Sequence, residues 1–278
     1  MILNYIHWNV SRVAFTIPEA VPLLGGHEIR WYGILFATAF IVSYWIMAKI
    51  FKYEKEDEKL LDSLLMYAIV ATIIGARLGH CLFYEPEYYL THPVEILKIW
   101  KGGLASHGAS IGLLIGFYLF SKKYHKPFLW VMDRVVIVVA LGGAFIRLGN
   151  LMNSEIFGHI THLPWGFYFE KYYDPAVAAQ PRHPTQIYEA LSYFIIFLIT
   201  SRMYWKAKGK PLPGKIFGWF LIMLFTVRFF IEFLKEPQVG FEKDMILNMG
   251  QILSIPFILG GIVLLYYAYQ GKFKEKTD

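Results

Sequence analysis

The chain has 278 residues, 56% of them hydrophobic, 18% aromatic and only 17% charged. A soluble domain of this length carries more charge, so much of the apolar surface must face lipid. The net charge of +6 does not point to nucleic acid as a partner, because the basic residues gather in short connections between apolar runs, where anionic head groups attract them.

Met1 to Pro18 lacks the basic start, long apolar centre and small-residue cleavage site of a signal peptide, and reads instead as an amphipathic arm on the outer face. Crossing the hydrocarbon takes about 20 mostly apolar residues as a helix, because backbone donors and acceptors must be paired within the segment where no water reaches. Seven runs meet that need in turn: Ile29 to Phe51, Asp62 to Phe83, a Gly-rich stretch from Gly103 to Phe120, Trp130 to Met152, Pro184 to Tyr204, Gly214 to Leu234, and Asn248 to Tyr269. The expected fold is all-α, a polytopic membrane protein of about seven transmembrane helices in a single integral-membrane domain, residues 1–278.

Alternate connections differ in charge. Lys52, Lys55 and Lys59, then Lys122, Lys123 and Lys126, then Arg202, Lys206, Lys208, Lys210 and Lys215, and finally Lys272, Lys274 and Lys276 form one set. Short basic loops of this kind are retained in the cytoplasm, which puts the N-terminus outside and the C-terminus inside. The other set is longer and its basic residues are diluted. Its largest member, residues 153–183 between the fourth and fifth runs, is rich in aromatics, Pro and His, as suits a folded cap on the outer leaflet. Loops that long are usually functional, so the working face is expected outside. Cys81 is the only cysteine; an internal disulfide and a cysteine metal cluster are excluded, and the residue reads as a small packed group.

An ionisable side chain in the membrane is costly unless it is paired or lines an aqueous cavity. Arg77, with His80 three residues on, lies late in the second run, Arg147 late in the fourth, Glu189 early in the fifth, and Arg228 and Glu232 late in the sixth. All fall towards the outer half of the bilayer. Asp133 and Arg134 can reach the cytoplasmic interface by snorkelling, and Lys49 anchors the first run there. Arg228 and Glu232, four residues apart, share a helical face. Their spacing fits a structural ion pair equally with a guanidinium held by its carboxylate to receive an anion.

The third run opens Lys101-Gly-Gly-Leu-Ala-Ser-His-Gly-Ala-Ser-Ile-Gly112, where glycines permit close helix packing and deliver His107 to the interface. A neutral imidazole there can accept a proton, although a packed histidine satisfies the composition as well. The densest polar run is Arg147-Leu-Gly-Asn-Leu-Met-Asn-Ser-Glu-Ile-Phe-Gly158, at the end of the fourth span. Arg147 and Asn150 share a face, and Asn153 and Glu155 follow where the helix ends. Arginine offers two parallel donors to a phosphate, and asparagine donates to ester or phosphate oxygens. The alternative is a polar helix end that caps itself.

That run, Arg147-x-Gly-Asn150-x-x-Asn153-x-Glu155-x-x-Gly158, resembles the signature of the prolipoprotein diacylglyceryl transferase family. Other pieces similar to that family follow its order: Arg30-Trp-Tyr-Gly33, Gly75-Ala-Arg-Leu-Gly79 with Phe83-Tyr84, Gly102-Gly-Leu-x-x-His107-Gly, His183-Pro-Thr-Gln-x-Tyr-Glu189, and Arg228-Phe-x-x-Glu232-Phe. Six ordered pieces across almost the whole chain are a specific match. There are departures. Ile146 stands where the family usually has Gly, Leu151 replaces a common Phe, Ala105-Ser106 replaces a frequent Ser-Phe, and Lys235-Glu-Pro-Gln238 replaces Arg-x-Pro-Asp. Lysine at 235 weakens any expectation of a bidentate contact there.

The resemblance implies a bacterial inner-membrane enzyme, its site towards the periplasm, that performs the first step of lipoprotein maturation. Phosphatidylglycerol donates its diacylglyceryl group to the thiol of the lipobox cysteine in a preprolipoprotein signal peptide, giving a thioether and glycerol 1-phosphate. The partners it implies are these two substrates and membrane lipids; it implies no cofactor and no metal. His107, Arg228 and Glu232 are the expected catalytic residues, with His107 as base and Glu232 orienting Arg228. Arg147, Tyr32, Asn150, Asn153, Glu155, Gly158 and His183 are the expected lipid-binding set.

Two other classes compete. A transporter also carries intramembrane charges, but spreads them through the depth and often shows inverted repeats, which this chain lacks. An intramembrane protease or lipid phosphatase is disfavoured by the absence of His-Glu-x-x-His and Gly-x-Ser-x-Gly motifs.

Overall fold

The structure is a computed structural model that describes residues 5–22, 25–99, 102–236 and 245–273. Each apolar run forms a helix. In chain order the elements are β1 (Ile6–Trp8), β2 (Val13–Thr16), β3 (Glu28–Arg30), α1 (Trp31–Glu54), α2 (Glu58–Phe83), α3 (Pro86–Thr91), a 3-10 turn (Pro93–Leu97), α4 (Ser106–Lys123), α5 (Phe128–Met152), β4 (Phe167–Phe169), α6 (Pro175–Ala178), α7 (Thr185–Lys206), α8 (Lys215–Ile231) with a 3-10 extension (Glu232–Leu234), and α9 (Met249–Tyr269). The protein is mostly helical, with four short strands that the all-α expectation left out. Among the described residues, α1, α2, α5, α8 with its extension, and α9 are long and apolar enough to cross a membrane. The helices α4 and α7 are more polar: α4 opens on Ser106 and His107 and closes on Lys122 and Lys123, and α7 carries Gln186, Glu189, Arg202 and Lys206.

The chain divides into two compact units, one of Met47–Arg134 and one of Met1–Ile46 with Val135–Asp278. In the Met47–Arg134 unit, glycines let α2 and α4 cross with backbones touching. A Cβ placed on Gly108 would lie 2.2 Å from the Gly75 carbonyl oxygen and 2.6 Å from the Gly79 Cα, and one on Gly112 would lie 2.4 Å from the Ala71 carbonyl oxygen. Where lipid offers no hydrophobic drive between helices, this close approach supplies the dispersion contacts that hold them together. An apolar cavity of about 660 Å³ runs beside the crossing, walled by Val70, Ile74, Leu78, Ile111 and Ile115.

At the other end of this unit the structure corrects the snorkelling expectation. Arg134 is buried, donates from Nε to both carboxylate oxygens of Glu54 (2.9 and 2.8 Å) and stacks 4.1 Å from the Trp130 ring centroid. Asp133 is buried as well. The neighbouring Lys126 donates to Glu56 at 2.6 Å. Paired charges of this kind need not reach water. Cys81 is fully buried, as expected of a packed residue.

In the other unit the N-terminal arm forms the strands β1 and β2. β1 pairs in parallel with β4, register Ile6 to Phe167 and Trp8 to Phe169. Trp8 Nε1 donates to the Leu151 carbonyl at 3.1 Å, satisfying one of the acceptors left open at the end of α5. Leu151, Phe157, Phe167 and Phe169 form a small core with Trp8, Tyr172, Val177 and Ile187 packed around it, so residues 153–183 fold on an apolar centre of their own. α8 and α9 repeat the glycine device, since a Cβ on Gly218 would lie 2.8 Å from Leu265 Cδ2 and one on Gly261 would lie 2.9 Å from the Gly218 carbonyl oxygen.

Replacing Gly108 by Val is expected to force α2 and α4 apart and lower stability by at least ~1–3 kcal/mol. The same change at Gly142, which has open space around it, is expected to be tolerated. Thermal unfolding of the two variants in detergent checks this.

Candidate active site

The polar residues of one unit meet where the C-terminal ends of α5 and α8 lie with the N-terminal ends of α7 and α9. Lys235, just beyond the 3-10 extension of α8, is 4% exposed and donates from Nζ to Glu189 Oε1 and to Glu232 Oε1, both at 3.0 Å. Glu189 is fully buried; its other oxygen, Oε2, ion-pairs with Arg147 Nε at 3.0 Å, and Tyr193 donates to its Oε1 at 3.2 Å. Glu232 Oε2 accepts from Asn248 Nδ2 at 3.2 Å, and Arg228 Nη2 lies 3.7 Å from Glu232 Oε1. The result is a chain of alternating charge, Arg147, Glu189, Lys235, Glu232, Arg228, with one positive charge in excess.

The two arginines end this chain and differ in what they have committed. Arg147 also donates from Nη1 to Asn150 Oδ1 at 3.2 Å. Arg228 is the loosest cation: its side chain is 26% exposed, and among the described residues its only ion pair, Glu232 at 3.7 Å, is beyond hydrogen-bond distance. The i,i+4 pair expected from spacing is therefore present, but Glu232 is held more closely by Lys235 and Asn248 than by Arg228.

The signature run continues this network. Asn150 Nδ2 and Asn153 Nδ2 both donate to Glu155 Oε1, at 2.8 and 3.2 Å. After α5 the backbone turns sharply, with Ser154 and Ile156 at φ of 54° and 58°. A β-branched residue in the left-handed region is strained, and Ile156 is held there by Thr185 Oγ1, which donates to its carbonyl at 2.9 Å. Gln186 Nε2 donates to the Glu155 carbonyl at 2.7 Å. The start of α7 thus fastens the run that α5 delivers. Asn153 Oδ1 and Gln186 Oε1 are buried acceptors without a partner among the described residues.

Gly158 sits where three backbone segments meet. Its N–H donates to the His183 carbonyl at 2.9 Å, the next N–H, of His159, donates to the Leu234 carbonyl at 2.8 Å, and Gly158 bridges Lys235. A Cβ at 158 would lie 2.2 Å from the Leu234 carbonyl oxygen, so glycine is what lets the segment carrying Lys235 approach. Tyr32, in the first turn of α1, packs its ring on Gly149, where a Cβ would lie 2.8 Å from Tyr32 Cδ2.

Tyr32, Arg147, Asn150, Asn153, Glu155, Gly158, His183, Arg228 and Glu232 therefore belong to one unit. His107 belongs to the other, exposed in the first turn of α4. Sequence reasoning missed the central position of Lys235, together with Asn248 and Tyr193. The i,i+3 spacing of Glu232 and Lys235 was the available signal.

The profile of the family described as prolipoprotein diacylglyceryl transferase matches residues 18–267. The chain belongs to the prolipoprotein diacylglyceryl transferase family. Among its relatives, a phosphatidylglycerol–prolipoprotein diacylglyceryl transferase of Tolumonas auensis is 48% identical over 96% of this chain and 99% of its own length. Proteins of the same name from Chloroherpeton thalassium and Porphyromonas gingivalis are 42% and 46% identical, each over 99% of this chain and 98% of their own. The resemblance read from six ordered motifs is borne out. The ion network above is thus the polar centre of one unit in a diacylglyceryl transferase family member.

Replacing Lys235 by Met removes the ammonium shared by two buried carboxylates. The expected loss of stability is ~3–5 kcal/mol, as for breaking a buried ion pair, whereas Lys235→Arg keeps most of it. Thermal unfolding in detergent distinguishes the two. His183 makes a second test. Trp165 Nε1 donates to the Tyr188 hydroxyl at 2.9 Å, and that oxygen lies 3.2 Å from His183 Nδ1, within hydrogen-bond distance. Burial, and to a lesser degree His159, holds this imidazole below the usual histidine range. Below about pH 6.5 the unfolded chain takes up a proton that the folded cap does not, so cap stability falls as pH falls, until His183 itself titrates. Nitrogen-15 NMR of labelled histidines is expected to show His183 mainly neutral at pH 6.5.

Proposed function

We propose that this chain transfers the diacylglyceryl group of phosphatidylglycerol to the lipobox cysteine thiol of a preprolipoprotein, forming a thioether and releasing glycerol 1-phosphate. The observation that carries this reading is the alternating ion network ending in Arg147 and Arg228, in a chain of this family. A phosphate diester brings one negative charge, which the partly exposed guanidinium of Arg228 at the end of the network can meet. Arg228, with its donors uncommitted, is the natural first contact for phosphate oxygens, and Arg147 supports it from the other end. The buried acceptors Asn153 Oδ1 and Gln186 Oε1 suit hydroxyl donors such as those of the glycerol head group.

In the reaction the cysteine sulfur bonds to the glyceryl carbon that carries the phosphate. The C–O bond breaks, its electron pair leaves with the phosphate oxygen, and the thiol proton goes to His107. A free thiol has a pKa near ~8.5, so a base is needed at neutral pH. The arginines stabilise charge gathering on the leaving phosphate. The ion network supports this part for the arginines; the family resemblance and the chemistry of imidazole support that of His107. The apolar cavity between α2 and α4 suits an acyl chain.

Seven crossings, an outside N-terminus and an inside C-terminus complete the reading. The lysine-rich connections support that orientation, which sets the site towards the periplasmic face of the inner membrane. A transport function is less well supported, because within their unit Arg147, Glu189, Glu232 and Arg228 gather at one end of the helices instead of marking a path through them.

The test is transfer from labelled phosphatidylglycerol to a lipobox peptide by the full-length protein in detergent. The peptide cysteine is expected to be labelled, and a Cys→Ser peptide is not. Arg147→Gln and Arg228→Gln are each expected to lower kcat/KM by roughly 10²–10³. His107→Asn is expected to lower the rate at pH 7 and to recover as pH approaches the thiol pKa of ~8.5. An unlabelled peptide with folded protein overturns the transferase reading, and an unchanged pH profile removes His107 as the base.

A further inference from the structure

We propose that Arg77 is a positioning residue for the transfer: it fastens the connection between α2 and α4 and thereby sets where α4 presents His107. The inference rests on the reading in which His107 takes the thiol proton.

Arg77 is 3% exposed, late in an apolar helix. A guanidinium so placed ordinarily needs a carboxylate. Here it has main-chain carbonyls instead. Nε donates to Ile96 O at 2.9 Å, Nη2 to Glu95 O at 2.6 Å, and Nη1 to Gly102 O and Gly103 O at 2.7 and 3.2 Å. Tyr89 covers the group, with its ring centroid 4.9 Å from Cζ. Among the described residues these are all its partners, and each belongs to the connection between α2 and α4.

The Gly75, Gly79, Gly108 and Gly112 crossing sets how closely α2 and α4 approach, and Arg77 holds the segment that leads into the first turn of α4. What the guanidinium holds is the approach to His107. Gly102 and Gly103 are both left-handed, with φ of 87° and 71°, and this conformation turns their carbonyls to Nη1. A Cβ on Gly103 would lie 2.5 Å from the His80 ring and 2.9 Å from Arg77 Nη1. Two residues later Ala105 N–H donates to the carbonyl of Ala76, the neighbour of Arg77, at 2.9 Å, and α4 begins at Ser106. Arg77 holds Gly102 and Gly103, and the carbonyl of its neighbour Ala76 holds Ala105, so the entry to α4 is fastened at two points to one turn of α2. The flat fork of donors is what reaches carbonyls on both the 3-10 turn and the glycine pair; a lysine ammonium is a point donor and cannot. Misplacing a reacting group by ~1 Å costs on the order of 10²-fold in rate, so the latch governs catalysis without touching substrate.

The experiment compares wild type, Arg77→Lys, Arg77→Gln, His107→Asn and the Arg77→Gln/His107→Asn double variant, full length in detergent. Transfer kinetics and amide hydrogen exchange are measured on each. Expected for both Arg77 variants are a kcat lower by roughly 10- to 100-fold and a phosphatidylglycerol KM within about twofold of wild type. Exchange is expected to be faster across residues 93–105. Because Arg77 acts through His107, Arg77→Gln is expected to cost less than about twofold more in the His107→Asn background. A wild-type kcat in Arg77→Gln, or losses that multiply in the double variant, overturns the proposal. Should Arg77→Gln not fold, Arg77→Lys, which keeps the charge and loses the fork, carries the same readouts. If wild type transfers nothing, the functional reading has failed; exchange then still decides the latch, and unchanged protection of 93–105 overturns it.

Discussion

A lysine ammonium withdrawn from water is tolerable only if negative charge reaches it from close by, and in this protein two carboxylates from two helices do so. Lys235 lies 3.0 Å from both Glu189 and Glu232. Because Glu189 comes from α7 and Glu232 from the end of α8, the ammonium ties the two elements together. Neither carboxylate is then free to neutralise an arginine completely. Arg147 and Arg228 stay at the ends of the chain, the arrangement on which the proposed reception of an anion rests.

Much of the helical framework is legible in the sequence because a membrane-sized apolar run has few alternatives. The run from Asn248 to Tyr269 becomes a helix over Met249–Tyr269, and the run from Pro184 to Tyr204 one over Thr185–Lys206. The signature residues Arg147, Asn150, Asn153 and Glu155 are equally legible, since they are local in sequence and their contacts are too.

What the sequence hides is long-range pairing. Lys235 follows the sixth run and reads as a departure from a family motif, with no partner assigned; only the fold brings Glu189, 46 positions earlier, to its other side. Arg134 reads as an interfacial anchor until Glu54, 80 positions away, is found beside it. The N-terminal segment has the composition of an arm, and its strand character arises only when Phe167–Phe169 offers an edge to pair with. Arg77 reads as a buried cation in search of a carboxylate, because main-chain carbonyls have no sequence code.

Gly158 shows how a small group of atoms controls the charge of the site. It is uncharged and makes no ion pair, yet its missing side chain is the space that the Leu234 carbonyl occupies. A methyl group at this point would push that end of the 3-10 extension outward, and Lys235 is the next residue along the chain. The ammonium would be drawn from between its two carboxylates, and they would turn on the arginines instead. Packing at one backbone contact thus sets how much positive charge the far side of the network can offer, and a purely steric change here would be felt by a ligand as an electrostatic one.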